Sequence, residues 1–277
     1  MSAEVEFFVR FWGVRGSIPC PGAATSRYGG NTSCLEIRCG GRLLIFDAGT
    51  GLAKLGKHVR GDGPLDADLF LTHTHYDHIW GWPHFSPGLD KDTRLNIRAG
   101  HLIPEYRIQD LMLGLLNDPL NPLNSETLRA NISFEDFVIG DTLKPRPGIE
   151  VRTAHLNHPN RASGYRIEFA GRSICYLTDH EHTEGGPDKA LVDLTRGADL
   201  VIYDSTYTDE EYPNHVGWGH STWREGVKLC EIAEAKKFVV FHHDPGHDDT
   251  FMDRIARDVT DARPGSVVAR EGLVLRP

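Results

Sequence analysis

The chain has 277 residues, of which 39% are hydrophobic and 25% are charged, as is usual for a globular protein with a sizeable core. Its formal net charge of −9 gives no general attraction to a phosphate backbone, so bulk nucleic acid is not expected as a partner. The acidic amino terminus does not resemble a signal peptide, and no apolar run reaches membrane-spanning length, so no membrane association is expected. The 5 cysteines form no Cys-x-x-Cys pair, which favours a reducing, cytoplasmic setting.

The first third of the chain predicts β-strands separated by glycine turns. Strands are predicted at residues 5–12, 34–38 and 42–47. A helix is predicted from Leu52 to Val59, just after Gly49-Thr50-Gly51. The apolar run from Ala67 to Thr72 is typical of a buried strand, and it ends at the first histidine pair.

Residues 84–145 form the least regular part of the sequence. The stretch from Tyr106 to Leu116 has helical spacing, and Pro119 and Pro122 would end that helix. Aromatic residues near the start of this segment could shape a pocket or a homodimer contact, and surface loop with core packing is an equal alternative. We therefore assign no site residue to it.

In the second half of the chain, predicted strands alternate with His and Asp residues that could bind metal or take part in catalysis. Strands are predicted at 150–154, 164–169, 173–177, 200–203, 238–241 and 266–275, and helices at 223–235 and 251–262. Several of these strands stop next to a His or an Asp, which would gather those side chains along one sheet edge. No repeat or linker interrupts the pattern, so we expect one domain over residues 1–277.

The strongest functional signal is the segment His73-Thr74-His75-Tyr76-Asp77-His78, directly after a predicted strand. Imidazole and carboxylate groups are ligands for zinc and other first-row divalent metals. His73 and His75 point to the same side of an extended chain and can share one metal ion. Asp77 and His78 can face a second ion, and two ions roughly 3.5–4 Å apart can clamp a phosphate ester.

This segment matches the His-x-His-x-Asp-His motif of the metallo-β-lactamase superfamily, and the resemblance extends over almost the whole chain. Asp47 matches an earlier motif of that superfamily at the end of a strand. Asp179, in Tyr176-Leu177-Thr178-Asp179, matches its metal-bridging carboxylate, and His242 matches its last metal-binding histidine. The resemblance implies an α/β fold of four layers, an αββα sandwich with two sheets face to face and helices outside.

The resemblance also implies a ligand set for two divalent metal ions. One ion would be held by His73, His75 and His158, the other by Asp77, His78 and His242, with Asp179 between them. Asp47 is expected to support the site without binding metal. Zinc is the default metal, and manganese or iron also suits mixed histidine and carboxylate ligands.

The segment Gly219-His220-Ser221-Thr222 resembles one found in ribonuclease Z-like phosphodiesterases, where this histidine contacts the scissile phosphate and is a candidate proton donor. A leaving alkoxide needs a proton or a positive partner, and histidine titrates near neutrality. We therefore expect a phosphodiesterase in which a metal-bridging hydroxide attacks phosphorus. Asp77 or Asp179 would orient the nucleophile, and His220 would assist the leaving group. Ser221 or Thr222 could alternatively act only as a helix cap.

Ribonuclease Z itself carries a long tRNA-binding arm between the residues that correspond to His158 and Asp179. These two residues are too close in this sequence to hold such an arm. This difference from ribonuclease Z favours the related phosphodiesterases that act on small substrates. We therefore expect the substrate to be a small phosphodiester, such as a cyclic nucleotide or a phosphoribosyl cyclic phosphate.

Two other functions stay open. A lactone or thioester hydrolase could use the same fold, because fold membership alone does not set the substrate. A non-catalytic metal-binding protein is the other alternative, although structural zinc sites are usually rich in cysteine and this ligand set has none. The roles of five further histidines are left open: His155, His180, His182, His243 and His247.

Overall fold

The structure is a computed structural model that describes residues 6–61, 63–122 and 127–277. Val5, which begins the first predicted strand, lies outside the described residues. The one-domain prediction also includes residues 1–5, 62 and 123–126, which lie outside them too.

The described residues form strands and helices throughout the chain. The strands are β1 (Phe7–Gly13), β2 (Cys34–Cys39), β3 (Arg42–Phe46), β4 (Asp66–Leu71), β5 (Arg94–Ala99), β6 (Asn131–Asp136), β7 (Thr142–Arg146), β8 (Ile149–Leu156), β9 (Ala162–Phe169), β10 (Arg172–Leu177), β11 (Leu200–Asp204), β12 (Lys237–Phe241), β13 (Val267–Val268) and β14 (Val274–Leu275). The α-helices are α1 (Gly51–Val59), α2 (Tyr76–Ile79), α3 (Ile108–Gly114), α4 (Lys189–Thr195), α5 (Trp223–Ile232) and α6 (Asp249–Ala262).

The strands form two 7-stranded mixed sheets. The first has the order β14-β1-β2-β3-β4-β5-β6, and the second has the order β13-β12-β11-β10-β9-β8-β7. Strands β3 to β6 run parallel to one another, as do β10 to β13. The remaining neighbours are antiparallel, including the β8–β9 and β9–β10 pairs. The parallel halves place several strand ends at one edge of the molecule.

Aromatic and aliphatic side chains fill the space between the sheets. Phe46 stacks on Phe70 with ring centroids 5.1 Å apart, and Tyr165 packs edge-on to both rings. Helices α1 and α3 cover the outer face of the first sheet, and α4, α5 and α6 cover the outer face of the second. Each helix buries one apolar face against a sheet, which confirms the predicted four-layer αββα sandwich.

Two helices begin at side-chain caps that the sequence carries. Thr222 accepts a hydrogen bond from the Glu225 backbone N–H at the start of α5, and Asp248 accepts one from Phe251 at the start of α6. Among the described residues, no helix has the length and apolar character needed to cross a membrane.

The structure corrects two parts of the sequence-based prediction. The described part of residues 84–145 contains strands that were not predicted, β5, β6 and most of β7, whereas α3 confirms the helical spacing of Tyr106 to Leu116. The predicted strand 266–275 is instead two short strands, β13 and β14, which belong to different sheets. Both errors have the same cause: these strands are short and are defined by partners far away in sequence.

Candidate metal centre

The candidate site lies at one edge of the sandwich, where neighbouring strands end. Its residues come directly after strands or at their ends: Asp47 after β3, His73 to His78 after β4, His158 after β8, Asp179 after β10, Asp204 at the end of β11 and His242 after β12. Because parallel strands end at a common edge, residues distant in sequence meet there.

Three of these residues have left-handed backbone conformations. The φ angles are 62° at Asp47, 55° at Asp179 and 62° at His242. Such conformations cost non-glycine residues about 1–3 kcal/mol and persist only where the surroundings enforce them. Each one turns a side chain sharply off its strand and towards the site.

One group of potential ligands comprises His73, His75 and His158, whose ligand atoms lie within 4.8 Å of one another. His158 Nε2 lies 3.1 Å from His75 Nδ1. Burial and the neighbouring His78 lower the pKa of His73, and burial together with His158 lowers the pKa of His75. Neutral imidazole is the form that binds a metal ion, so this electrostatic environment favours ligation.

A second group comprises Asp77, His78, Asp179 and His242, all buried and again within 4.8 Å of one another. Asp77 Oδ2 lies 3.2 Å from His78 Nε2 and 3.3 Å from His242 Nε2. Burial opposes ionisation of Asp77, but His78 and His242 hold its pKa well below the usual range. The group therefore presents ionised oxygens beside imidazole nitrogens.

The Asp179 carboxylate lies between the two groups. Its Oδ1 is 3.7 Å from both His73 Nε2 and His158 Nε2, whereas its Oδ2 is 3.0 Å from His78 Nε2 and 3.2 Å from His242 Nε2. Burial raises the pKa of Asp179, but His242 and His78 outweigh burial and lower it well below the usual range. One ionised oxygen thus faces each group.

Most of the imidazoles in these groups are held through their other ring nitrogen. His78 Nδ1 is 2.8 Å from Asp47 Oδ2, and His158 Nδ1 is 2.8 Å from the Gly219 carbonyl. His242 Nδ1 is 3.0 Å from the Thr206 hydroxyl. Such contacts set ring orientation and ligand basicity at metal sites.

The chemistry of the donor set fits divalent metal ions. His73 Nε2, His78 Nε2 and His242 Nε2 are buried and have no hydrogen-bond partner among the described residues. Unpaired buried polar atoms are costly, and three that converge on carboxylate oxygens call for a bound cation. The two groups are therefore suited to hold metal ions.

His220 lies beside the two groups and is paired with a carboxylate that the sequence analysis did not assign. Its Nδ1 is 2.8 Å from Asp204 Oδ2 and 3.9 Å from Asp179 Oδ1. Burial lowers the pKa of His220, but the Asp204 carboxylate outweighs burial and raises it to about 9. The imidazole is therefore charged at neutral pH and is oriented by its partner.

Sequence reasoning missed Asp204 although its signal was present, since it ends a predicted strand as the assigned residues do. Ser17 was given no individual role either, and its backbone N–H donates to Asp77 Oδ2 at 2.8 Å. Tyr176 donates to Asp47 at 2.8 Å across the sandwich, and no local pattern could have indicated that contact. Asp47 contacts one proposed ligand, His78, at its Nδ1, and its supporting role stays a prediction.

The five histidines left open lie outside the two groups. His155 is exposed on β8, and His243 is buried against the Ala269 carbonyl. His247 pairs with Glu211 at 2.9 Å. His180 and His182 contact backbone and hydroxyl groups of neighbouring loops.

A cavity of about 550 Å³ opens onto the site. It is lined by Ser17, Thr74, His75, Tyr76, Asp77, Ile79, Leu111, Leu115, Asp179 and His220. A larger cavity, about 800 Å³, lies at the opposite ends of the second-sheet strands. Cations in that larger cavity are paired with acids, as in Lys144–Glu150 and Lys236–Asp199, so it offers no comparable chemistry.

Comparisons with known proteins relate this chain to one family. The family model described as "Beta-lactamase superfamily domain" matches residues 42–243. Ribonuclease Z from Halorubrum lacusprofundi is 24% identical over 321 residues, covering 97% of this chain and 94% of that protein. The metallo-β-lactamase-fold protein YhfI from Bacillus subtilis has a TM-score of 0.74 at 18% identity, with 98% of this chain and 99% of that chain covered. The short form of human tRNase Z has a TM-score of 0.71 at 20% identity, with 97% and 98% covered.

These comparisons overturn the expectation that bulk nucleic acid is excluded as a partner. A relative that matches almost the whole chain is named ribonuclease Z, and a protein of the same fold is named tRNase Z. The error came from the net charge, which averages over the whole surface. Phosphate binding depends on local charge, and bound metal ions are often the largest local charges in a site.

Proposed function

This chain belongs to the beta-lactamase superfamily and is a metal-dependent hydrolase, and from that premise we propose that it hydrolyses phosphodiesters with two divalent metal ions. Zinc is the proposed metal, with manganese and iron as alternatives for the mixed ligand set. The first ion would be held by His73, His75 and His158, the second by Asp77, His78 and His242, and both by Asp179.

The observation that carries this proposal is the position of Asp179 between two histidine groups. Its two oxygens face different groups, and unpaired Nε2 atoms of His73, His78 and His242 point to the same place. A closed structural site would satisfy its ligands around one centre and would not need an open cavity beside them. Two divalent ions, when bound, lower the pKa of water and neutralise charge on phosphate oxygens.

Individual residues of the chain have separate roles in the proposed reaction. Asp77 accepts a hydrogen bond from the Ser17 backbone and lies beside His78 and His242, so its carboxylate is fixed in orientation. This fixed carboxylate can orient an attacking water through a hydrogen bond. Positioned general acid–base groups typically contribute about 10²–10⁴-fold to a rate.

His220 is the proposed proton donor to the leaving oxygen. Its Nδ1 is engaged by Asp204, which leaves Nε2 as the nitrogen available to a substrate in the cavity that His220 lines. The raised pKa keeps the imidazolium protonated at neutral pH. A charged donor beside the scissile phosphate can both attract the phosphate oxygens and release a proton to the leaving alkoxide.

The proposed substrate is a small phosphodiester, such as a cyclic one, because a cavity of about 550 Å³ is the size of a small-molecule site. The short β9–β10 hairpin between His158 and Asp179 supports this choice. RNA is a second candidate substrate, favoured by the names of the relatives. The assay must therefore contain both substrate classes.

The test combines metal analysis with a hydrolysis panel. Purified protein is loaded with zinc or manganese, and bound metal is measured by mass spectrometry. The panel contains cyclic nucleotides, a precursor tRNA, a chromogenic phosphodiester, a lactone and a thioester. We expect two ions per chain and hydrolysis of phosphodiesters. Activity confined to the lactone or the thioester would overturn the proposal.

Two variants separate the proposed roles. His220→Ala should lower kcat by about 10²–10⁴-fold with metal content unchanged. Asp179→Asn should lower metal occupancy, since it removes the ionised group between the two sites. His155→Ala is the matched control, because His155 is exposed and outside the site. Full activity of His220→Ala would remove this residue from the mechanism, and full metal content in Asp179→Asn would contradict a bridging role.

Other features stay predictions. These are the single domain over residues 1–277, a homodimer and the reducing, cytoplasmic setting. The 5 free thiols support the last of them, because no disulfide links the cysteines.

A further inference from the structure

The cavity beside the metal centre has two chemically different sides. One side carries the proposed ligands and proton donor, including Asp77, Asp179 and His220. The other side, here called the apolar wall, consists of Tyr76, Ile79, Leu111 and Leu115. The apolar wall contains no charged side chain. The proposed reaction uses only the first side, so the apolar wall has no assigned role.

The two leucines of the apolar wall are held in place by the fold. They lie in and just after α3, whose first residue donates its backbone N–H to Asp136 Oδ1 at 3.1 Å. Trp82 Nε1 donates to the Met112 carbonyl at 3.0 Å, and the Met112 side chain is fully buried. Because the helix is anchored at its start and its middle, the apolar wall is formed before any substrate binds.

Tyr76 adds an aromatic ring to the apolar wall, at the part of the wall next to the metal centre. It stands between His75 and Asp77 in the sequence, and it is 65% exposed. Its ring stacks against Trp80, with centroids 5.4 Å apart and planes 27° apart. Trp80 is itself 42% exposed. An exposed aromatic pair beside a phosphate-binding centre is typical of a surface that binds flat rings.

The chemistry of the two sides restricts what can occupy the cavity. A phosphate or a sugar needs hydrogen-bond partners, and the three aliphatic residues of the wall offer none from their side chains. The faces of a flat, uncharged ring carry no hydrogen-bonding groups, so a ring that lies face-on to the wall gains contact area against leucine and tyrosine side chains without leaving a polar group unpaired on that face. The cavity is continuous with the metal centre, so one molecule can place a phosphate at one side and a ring at the other.

We propose that the apolar wall binds a nucleobase that belongs to the phosphodiester hydrolysed at the metal centre. This inference rests on the proposed function and narrows it to nucleotide substrates. Tyr76, Leu111 and Leu115 favour substrates that carry a base over substrates that lack one. They take no part in the bond-breaking step.

The first experiment measures binding without hydrolysis. The zinc-loaded protein is titrated calorimetrically with adenosine 5′-monophosphate and with ribose 5-phosphate, which carry the same phosphate and differ in the base. We expect the nucleotide to bind about tenfold more tightly. Equal affinities in the wild-type protein would overturn the inference.

Variants of the apolar wall locate the effect. Tyr76→Ala and Leu111→Ala should each reduce the preference for the nucleotide by about threefold to tenfold, and leave the affinity for ribose 5-phosphate unchanged. Leu120→Ala is the matched control, since Leu120 is in the same segment, is 73% exposed and does not line the cavity. Tyr76 is mostly exposed, so its variant keeps the test valid if Leu111→Ala is unstable. A preference that persists in both wall variants would also overturn the inference.

The second experiment separates this inference from the proposed function. Hydrolysis of adenosine 2′,3′-cyclic monophosphate is compared with that of methyl ribofuranoside 2,3-cyclic phosphate, which lacks the base. A higher kcat/KM for the nucleotide, lowered by Leu111→Ala, would support both. Equal rates on the two substrates would refute nucleobase binding by the apolar wall and leave the proposed phosphodiesterase activity intact. Base-dependent binding with no hydrolysis of any phosphodiester would refute the proposed phosphodiesterase activity and leave nucleobase binding by the apolar wall intact.

Discussion

Glu181 is the residue whose replacement tests the architecture of the site most directly. Its Oε1 accepts hydrogen bonds from the Tyr212 hydroxyl at 2.9 Å and from the Gly217 backbone at 2.7 Å. Its Oε2 accepts one from the Gly219 backbone at 2.8 Å. The side chain is buried, and all three donors belong to the loop that leads into His220. Glu181 thus holds this loop in place.

The loop is connected to both parts of the proposed mechanism, metal binding and proton donation. The Gly219 carbonyl receives the Nδ1 hydrogen bond of His158 at 2.8 Å, and Gly219 directly precedes His220. One carboxylate therefore positions a proposed metal ligand and the proposed proton donor. Glu181 contacts neither group itself, so it is a positioning residue.

Glu181→Gln is the sharpest perturbation, because it keeps the shape of the side chain. The amide has one acceptor oxygen where the carboxylate has two, so its NH2 group must face at least one of the three donors. Hydrogen bonds to charged groups contribute about 1.5–3 kcal/mol each, and one of them becomes a donor–donor contact. We expect the loop to lose about 2 kcal/mol of local stability, which corresponds to about a 30-fold shift towards misplaced conformations.

The assay measures kcat, KM and metal content on a chromogenic phosphodiester. Glu181→Gln should lower kcat, with about 30-fold as the upper limit set by this shift, and should change KM less. Glu184→Gln is the matched control, because Glu184 is exposed a few residues further along. Unchanged kcat in Glu181→Gln, together with unchanged hydrogen exchange of the Gly217 and Gly219 amides, would contradict the positioning role of Glu181.

The pH dependence gives a second reading of the same contacts. Burial raises the pKa of Glu181, but the hydrogen bonds from Gly217, Gly219 and Tyr212 lower it below its usual value. A carboxyl whose pKa is lowered on folding adds stability above its unfolded pKa of about 4.3, and this stability is lost as the pH falls through the folded value. The stability difference between wild type and Glu181→Gln should therefore be full at neutral pH and shrink in acid. A constant difference down to pH 3 would contradict this account.

Three further substitutions test neighbouring contacts. Asp204→Asn removes the carboxylate that raises the pKa of His220 against the effect of burial, so the alkaline limb of the kcat profile should move to lower pH; an unmoved limb would show that another group controls it. Gly219→Ala would place a Cβ 2.2 Å from His158 Nδ1 at a φ of +86°, so metal titration should show weaker binding and thermal unfolding a loss of about 1–3 kcal/mol. Asp47→Asn should weaken metal affinity by about 10–100-fold, and unchanged affinity would contradict its supporting role.

Four of the proposed ligands could be predicted from the sequence because their spacing is local, and the resemblance to the metallo-β-lactamase superfamily implied the other three. His73, His75, Asp77 and His78 lie within a few residues, and the spacing of that segment alone indicates a metal site. The remaining ligands follow short apolar runs, as expected for residues mounted at strand ends. Hydrophobic periodicity likewise located most of the strands and helices.

The pairing of His220 with Asp204 could not be read from the sequence. These residues are 16 positions apart and meet only because β11 ends beside the loop that enters α5. The strands between residues 84 and 145 were missed for a related reason, since a short parallel strand is stabilised by partners that a local window does not contain. Two residues of the apolar wall, Leu111 and Leu115, lie in this same region, so their position beside the metal centre also emerged only from the fold.

Contacts between residues distant in sequence determine how the two ends of the chain and the two sheets are joined. Arg15 is fully buried and donates to the His247 carbonyl at 2.7 Å, which ties the two ends of the chain together. Tyr176 reaches Asp47 from the opposite sheet, and the short strands β13 and β14 near the end of the chain belong to different sheets. The residue types and their local spacing determine which chemistry this protein can perform. Only the packing of two sheets against each other determines which of those side chains meet, because the free energy of that packing comes from contacts between distant segments.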